Sequence, residues 1–274
     1  MTMPDAGFLI PEERLGNRTS GIGYPGVYPS AVRIARTEAI ILHTLPARER
    51  DKLVVFLTPD HGKLKGFAYG ARAIRSRFGA ALEPLAKVRI GYSEREGDEV
   101  VRIESVDLVR SLFPAQQNLQ RSIAATYIAE LVDIFAPAND PAELIYRLLD
   151  RTTEALLEGA NALAVVAYAE IWMLRLGGIF PSVRACMECG GPLGRPLRFD
   201  FKLQGFVCEN CAVRDALVVS NDVADAIDAI VRSPVSAFSA PMETLFEIRS
   251  LAGALRRHFL GHELKSFDVL ATVL

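Results

Sequence analysis

Cysteine is scarce in this chain. Its 274 residues contain four, and all lie between Cys186 and Cys211, in CMECGGPLGRPLRFDFKLQGFVCENC. Several other signals are absent. No G-x-x-x-x-G-K-[ST] occurs, which excludes an ATP-binding P-loop of that type. No H-E-x-x-H occurs, and no H-x-E accompanies the cysteine pairs, where Ala185 rather than proline precedes Cys186; this removes the zincin and zinc-deaminase patterns. No paired-carboxylate metal cluster can be located, so neither nuclease nor nucleotide-hydrolysing chemistry is expected and the protein is read as no enzyme. The most apolar stretch, Ala162–Phe180, is interrupted by Glu170 and Arg175, so a membrane span is not expected. The opening MTMPDAGFLIPEER has an early acid, no basic segment and no long apolar run, which is unlike a secretory signal. The expectation is a cytoplasmic protein whose thiols stay reduced.

The four cysteines therefore point to metal rather than to disulfides. Cys186 and Cys189 form one C-x2-C, Cys208 and Cys211 a second, and 18 residues separate them, a spacing associated with zinc. Each pair can turn two thiolates toward one ion, and two pairs complete a tetrahedron of sulfur. Gly190, Gly191 and Gly205 flank the pairs where the backbone must turn, and Arg198–Phe201 and Gly205–Val207 read as two short strands of a treble-clef or ribbon-like finger over 184–213. The competing reading is four structural thiols that bind no metal. A four-sulfur site has no open coordination position, so one zinc here would brace the fold rather than react. His258 and His262 stand four apart on an expected helix and could share a metal, though such pairs are more often surface.

Outside the finger the chain divides. Residues 1–32 are rich in Gly, Pro, Ser, Asn and Thr and read as a flexible leader; the G-x-G-x-x-G at 21–26 follows no strand and places Pro25 where a helix would start. Residues 33–110 carry five strand-like runs, at Glu38–Leu45, Leu53–Thr58, Lys63–Gly70, Leu82–Tyr92 and Val100–Leu108. Five short strands suit an OB-fold, the commonest such barrel, although an SH3-like barrel fits the pattern too. Residues 111–274 change to helical period, at Gln116–Phe135, Pro141–Glu158, Ala162–Leu176, Asn221–Val231, Met242–Phe259 and Ser266–Val273. Asp140 before Pro141 reads as an N-cap, and Gly159 as the stop. The fold class expected is thus α+β and multidomain: an N-terminal five-stranded β-barrel, then an all-α domain with an inserted four-cysteine finger.

Charge is divided as well. Residues 33–110 hold 15 Lys and Arg against 11 Asp and Glu, while residues 111–274 hold 14 against 19. The densest cluster is Arg72, Arg75 and Arg77 after the third strand. Arg48, Arg50 and Lys52 sit in the first turn, and Lys63 and Lys65 alternate along the third strand. Such a groove can track phosphates, and Phe67, Tyr69 and Phe78 could stack on bases. The bland alternative makes the charges solvated surface and the aromatics core.

The same residues carry a resemblance. GKLKGFAYGARAIRSRFGAALEPL resembles the barrel signature of the bacterial recombination mediator RecO family. EAIILHTLPARERDKLVVFLTPDHGKL is similar to its first hairpin, and CMECG…GFVCENC and LKSFDVL complete the pattern over about residues 37–270. The resemblance implies an OB-fold followed by a helical domain with a zinc finger, and a non-enzymatic, nucleoid-associated role in DNA repair. It implies binding to single- and double-stranded DNA, annealing of complementary strands, and help in loading the RecA recombinase onto strands coated with single-strand-binding protein. The partners it implies are RecR, often RecF, and the tail of single-strand-binding protein. An RNA-binding or transcription-associated zinc-ribbon protein is the other reading of the residues.

Overall fold

Strand β1, Val32–Ala47, forms one long edge-to-edge backbone shared by two partners. Its first part pairs antiparallel with β4 (Lys87–Arg95), and its second part pairs with β2 (Asp51–Thr58). β2 pairs with β3 (Gly62–Ala68), and β3 meets β5 (Val101–Arg110) in parallel, at Gly66 opposite Val101 and Phe67 opposite Arg102. β5 returns to β4 and closes the barrel in the order β1-β2-β3-β5-β4. This is OB-fold topology, so the five-stranded expectation holds and the SH3-like alternative does not. The computed structural model describes residues 32–73, 75–95 and 97–274; the expectations for the leader and for the glycine motif at 21–26 lie outside the described residues, except that Val32 opens β1.

The barrel has two cores. Ala39, Ile41, Val54, Phe56, Val88, Ile90, Tyr92 and Ile103 point inward. The alternate positions on β1 and β2, Ile40, Leu42, Val55 and Leu57, face outward yet are just as buried, because helices cover that wall. Burial on both faces explains why AIIL and VVFL are continuous apolar runs where a half-solvated strand would alternate.

Seven helices follow: α1 (Phe113–Gln116), α2 (Leu119–Phe135), α3 (Glu143–Glu158), α4 (Ala162–Leu176), α5 (Asn221–Arg232), α6 (Met242–Leu260) and α7 (Phe267–Val273). α4 is the central element, its apolar residues buried nearly all round. Asn118, Asn161 and Ser220 cap α2, α4 and α5 by accepting from backbone N–H groups three residues on. Among the described residues no helix is long and apolar enough to cross a membrane.

Two local expectations are corrected. Leu82 ends a 3-10 turn, Gly79–Leu82, and the strand expected from Leu82 begins at Lys87. Asp140 does not cap α3; Ala142 is the N-cap and makes no side-chain bond. The segment before α3 is held by β3 and the β2–β3 turn instead. Lys63 N–H donates to the Pro137 carbonyl at 2.8 Å, and Ala142 N–H to the Pro59 carbonyl at 2.9 Å. Gly62 permits this close approach: its φ is +61°, and a β-carbon there would lie 2.1 Å from the Asp140 carbonyl oxygen.

Candidate nucleic-acid interface and metal centre

The finger lies between α4 and α5. Its sheet has three strands, β6 (Leu197–Asp200), β7 (Gly205–Val207) and β8 (Leu217–Val219), in the order β7-β6-β8. The first two match the sequence reading; β8 was not foreseen. The first knuckle folds back over β7, with Met187 N–H donating to the Phe206 carbonyl at 2.9 Å. The approach is so close that a side chain on Gly205 would sit 2.7 Å from Met187. Cys186 N–H donates to the Gly191 carbonyl at 2.7 Å, and Gly190 N–H to the Cys186 carbonyl at 2.9 Å. Arg198 of β6 pairs with Glu209 at 3.6 Å, which fastens the second knuckle to the sheet.

All four sulfurs lie within 4.8 Å of one another. Cys189 Sγ and Cys208 Sγ are 3.9 Å apart, far beyond a disulfide bond. Bonds of 2.3 Å in a tetrahedron would put sulfurs about 3.8 Å apart, so the donor set fits a thiolate-bound ion. The local charges agree. N–H donors from Cys189 first, then Cys208, lower the Cys186 thiol pKa to about 6; the Cys208 N–H to Cys186 Sγ distance is 3.3 Å. Cys211 moves the other way, to about 12, chiefly through its contacts with the Cys208 and Cys189 sulfurs. Four thiolates this close repel one another unless a cation sits among them. The two histidines do not join the set. His258 Nε2 meets the Gln204 side-chain amide at 3.3 Å, while His262 lies past the end of α6 with Nδ1 against the Glu263 carbonyl at 2.9 Å.

The basic residues of the barrel fall into two groups. Arg48 and Arg50 lie in the β1–β2 turn, and Arg72, Arg75 and Arg77 in the loop after β3; all five are exposed. Hydrogen bonds join the two loops. Arg72 N–H donates to the Arg50 carbonyl at 2.9 Å, the Arg72 guanidinium to the Arg48 carbonyl at 3.3 Å, and Gly70 N–H to the Asp51 carboxylate at 2.8 Å. Lys52 begins β2 beside them, opposite Ala68, and is half-buried; Lys65 stands exposed on the outer face of β3. None of these seven side chains makes an ion pair among the described residues.

Lys63 belongs elsewhere. Its ammonium pairs with the Asp133 carboxylate of α2 at 3.1 Å and also donates to the Asp133 carbonyl; its side chain is only 18% exposed. His43 holds the other Asp133 oxygen at 3.2 Å. Lys63 fastens the barrel to the helices and is not part of the exposed cluster. Of the three aromatic residues, Phe67 and Tyr69 reach the outer surface, whereas Phe78 is 3% exposed and packs inside the barrel, where it pins the arginine loop. Arg77 lies over the Phe78 ring, 4.8 Å from its centre.

Two family models match the chain: Recombination protein O N terminal over residues 32–112 and Recombination protein O C terminal over residues 116–268. Curated relatives match the chain over most of their length. The DNA repair protein RecO of Koribacter versatilis (strain Ellin345) is 34% identical over 232 residues, covering 82% of this chain and 93% of the relative. The DNA repair protein RecO of Myxococcus xanthus (strain DK1622) is 33% identical over 242 residues, 86% of this chain and 96% of the relative.

Proposed function

The chain belongs to the recombination protein O family of DNA repair proteins, and from that premise we propose that it is a DNA-binding recombination mediator without catalytic activity. It binds single and double strands, anneals complementary strands, and helps load the recombinase onto DNA coated with single-strand-binding protein. RecR, the tail of single-strand-binding protein and, in some settings, RecF are its partners. The observation that carries the DNA-binding part is the joining of Arg48 and Arg50 to the Arg72 loop, by bonds from the Arg72 guanidinium and the Arg72 N–H to their carbonyls. Five exposed arginines on two linked loops at one end of an OB-fold make a surface suited to a phosphate backbone.

The metal in the finger is zinc in this reading, one ion per chain. A four-sulfur donor set selects a soft or borderline cation, and a closed tetrahedron is the usual structural zinc site. It holds the β6–β8 finger between α4 and α5 and leaves no position for substrate.

The test is strand annealing by the purified protein, followed with complementary labelled oligonucleotides. Annealing should proceed without nucleotide and be unaffected by ATP. Failure to anneal or to bind any DNA, or a rate raised several-fold by ATP, would overturn the proposal. Matched RNA should compete no better than DNA; a preference that depends on the 2′-hydroxyl would favour the RNA-binding alternative.

A further inference from the structure

The helical domain does not cover the barrel evenly. It buries the outer wall of β1 and β2 and captures Lys63 at the start of β3. Further along the outward face of β3, Lys65 is exposed, Phe67 is half-buried, and Tyr69, just past the strand, is 40% exposed. The Phe67 and Tyr69 rings lie side by side, centres 6.1 Å apart and inclined by 31°.

A fourth residue joins them from a distant part of the chain. The parallel β3–β5 pairing sets Arg102 directly opposite Phe67. Its guanidinium lies 5.3 Å from the centre of the Tyr69 ring. Glu104 holds it there at 3.1 Å, and Ser93 donates to the same Glu104 oxygen at 2.9 Å. The planar cation packs over Tyr69, beside a second ring inclined to it by 31°, and both Arg102 and Tyr69 stay open to solvent. The strip continues into the Gly70–Arg72 turn, where Gly70 N–H donates to the Asp51 carboxylate and Arg72 N–H to the Arg50 carbonyl.

Resting on the DNA-binding reading above, we propose that Phe67, Tyr69 and Arg102 form a stacking platform for unpaired bases, and that this platform gives the barrel a preference for single strands. The arginine loops hold phosphate and are indifferent to whether bases are paired. Aromatic and guanidinium faces can engage a base only when it is free of its partner strand. Lys65, beside the rings, meets the backbone of the strand whose bases they carry.

The experiment compares three probes of equal length with the full chain: an oligothymidylate, a strand of abasic sites with the same phosphates, and a duplex. Wild-type protein should bind the oligothymidylate roughly tenfold or more tighter than the abasic strand, as stacking of one or two bases implies. In the double variant Phe67→Leu/Tyr69→Leu, oligothymidylate affinity should fall to the abasic level. Equal wild-type affinity for the thymidylate and abasic strands would overturn the platform while leaving the phosphate-binding reading intact. A double variant that keeps the full thymidylate preference would overturn it too. Wild-type protein that binds none of the three probes would overturn the DNA-binding reading itself.

Discussion

The backbone amide of Arg72 donates to the carbonyl of Arg50 across two loops, at 2.9 Å. The bond fixes where the basic surface is. A loop of exposed arginines would ordinarily be mobile and diffuse in charge. Here its beginning is tied to the β1–β2 turn and its end is anchored by Phe78 in the barrel core. The charges are thus presented on a frame, which lowers the ordering cost when phosphate binds.

The metal centre gives one expectation. Cys208→Ser leaves three thiolates around an incomplete site. Metal loss should lower stability by about 3 kcal/mol or more, a part of the roughly 10–16 kcal/mol that structural zinc can contribute. Metal analysis of protein purified without added zinc should give one equivalent for the wild type. No zinc in the wild type, with identical melting curves for both proteins, would contradict the assignment.

The helical core rests on a buried ion pair. Arg256 of α6 meets Glu170 of α4 with both side chains 1% exposed, and it also contacts Tyr127 of α2 and Glu263 before α7. Arg256→Met should cost about 3–5 kcal/mol because Glu170 loses its counterion in the core, where burial already pushes its pKa up. Adding Glu170→Leu should recover much of that loss. Denaturant melts of the two variants are the check; a double variant no more stable than the single one would contradict this.

Glu130 of α2 governs the seating of α7. Its carboxylate accepts from Lys265 N–H at 2.9 Å and Ser266 N–H at 2.8 Å, and from the Ser266 hydroxyl at 2.5 Å. Partial burial works to raise its pKa, but the Ser266 and Lys265 donors prevail and hold it below its ordinary value. A lowered folded-state pKa stabilises the fold above the unfolded value and is lost as pH falls through the folded one. The stability gap between wild type and Glu130→Gln should therefore be full above about pH 5 and shrink on acidification. Thermal melts from pH 7 to pH 3.5 would contradict this if the gap stayed constant.

Much of this was readable from residue order, and the exceptions share a cause. The cysteine spacing specifies the sulfur cluster, and local period specifies the helices and the five strands. Lys63 and Lys65 look equivalent in sequence, both outward on one strand. Asp133, 70 residues away, takes the first and leaves the second free. Phe78 looks like a loop aromatic until the barrel closes over it. Arg102 carries no local signal, because only the parallel β3–β5 contact brings it to Tyr69. Asp140 loses its capping role because β3 claims the backbone around it. Each difference comes from a contact between residues far apart in the chain, where tertiary bonding overrides a local preference.

The central claim is that the linked arginine loops hold the DNA backbone. Each phosphate contact on a single strand adds roughly −0.7 to the slope of log affinity against log salt. Changing Arg72, Arg75 and Arg77 together to Ala and measuring binding of a single-stranded oligonucleotide across a salt series tests the claim directly. The account expects a slope flatter by up to about 2, with weaker binding, unchanged zinc content and a melting temperature close to wild type. A triple variant that melts normally and keeps both the wild-type affinity and the wild-type slope would contradict it and place the DNA elsewhere on the protein.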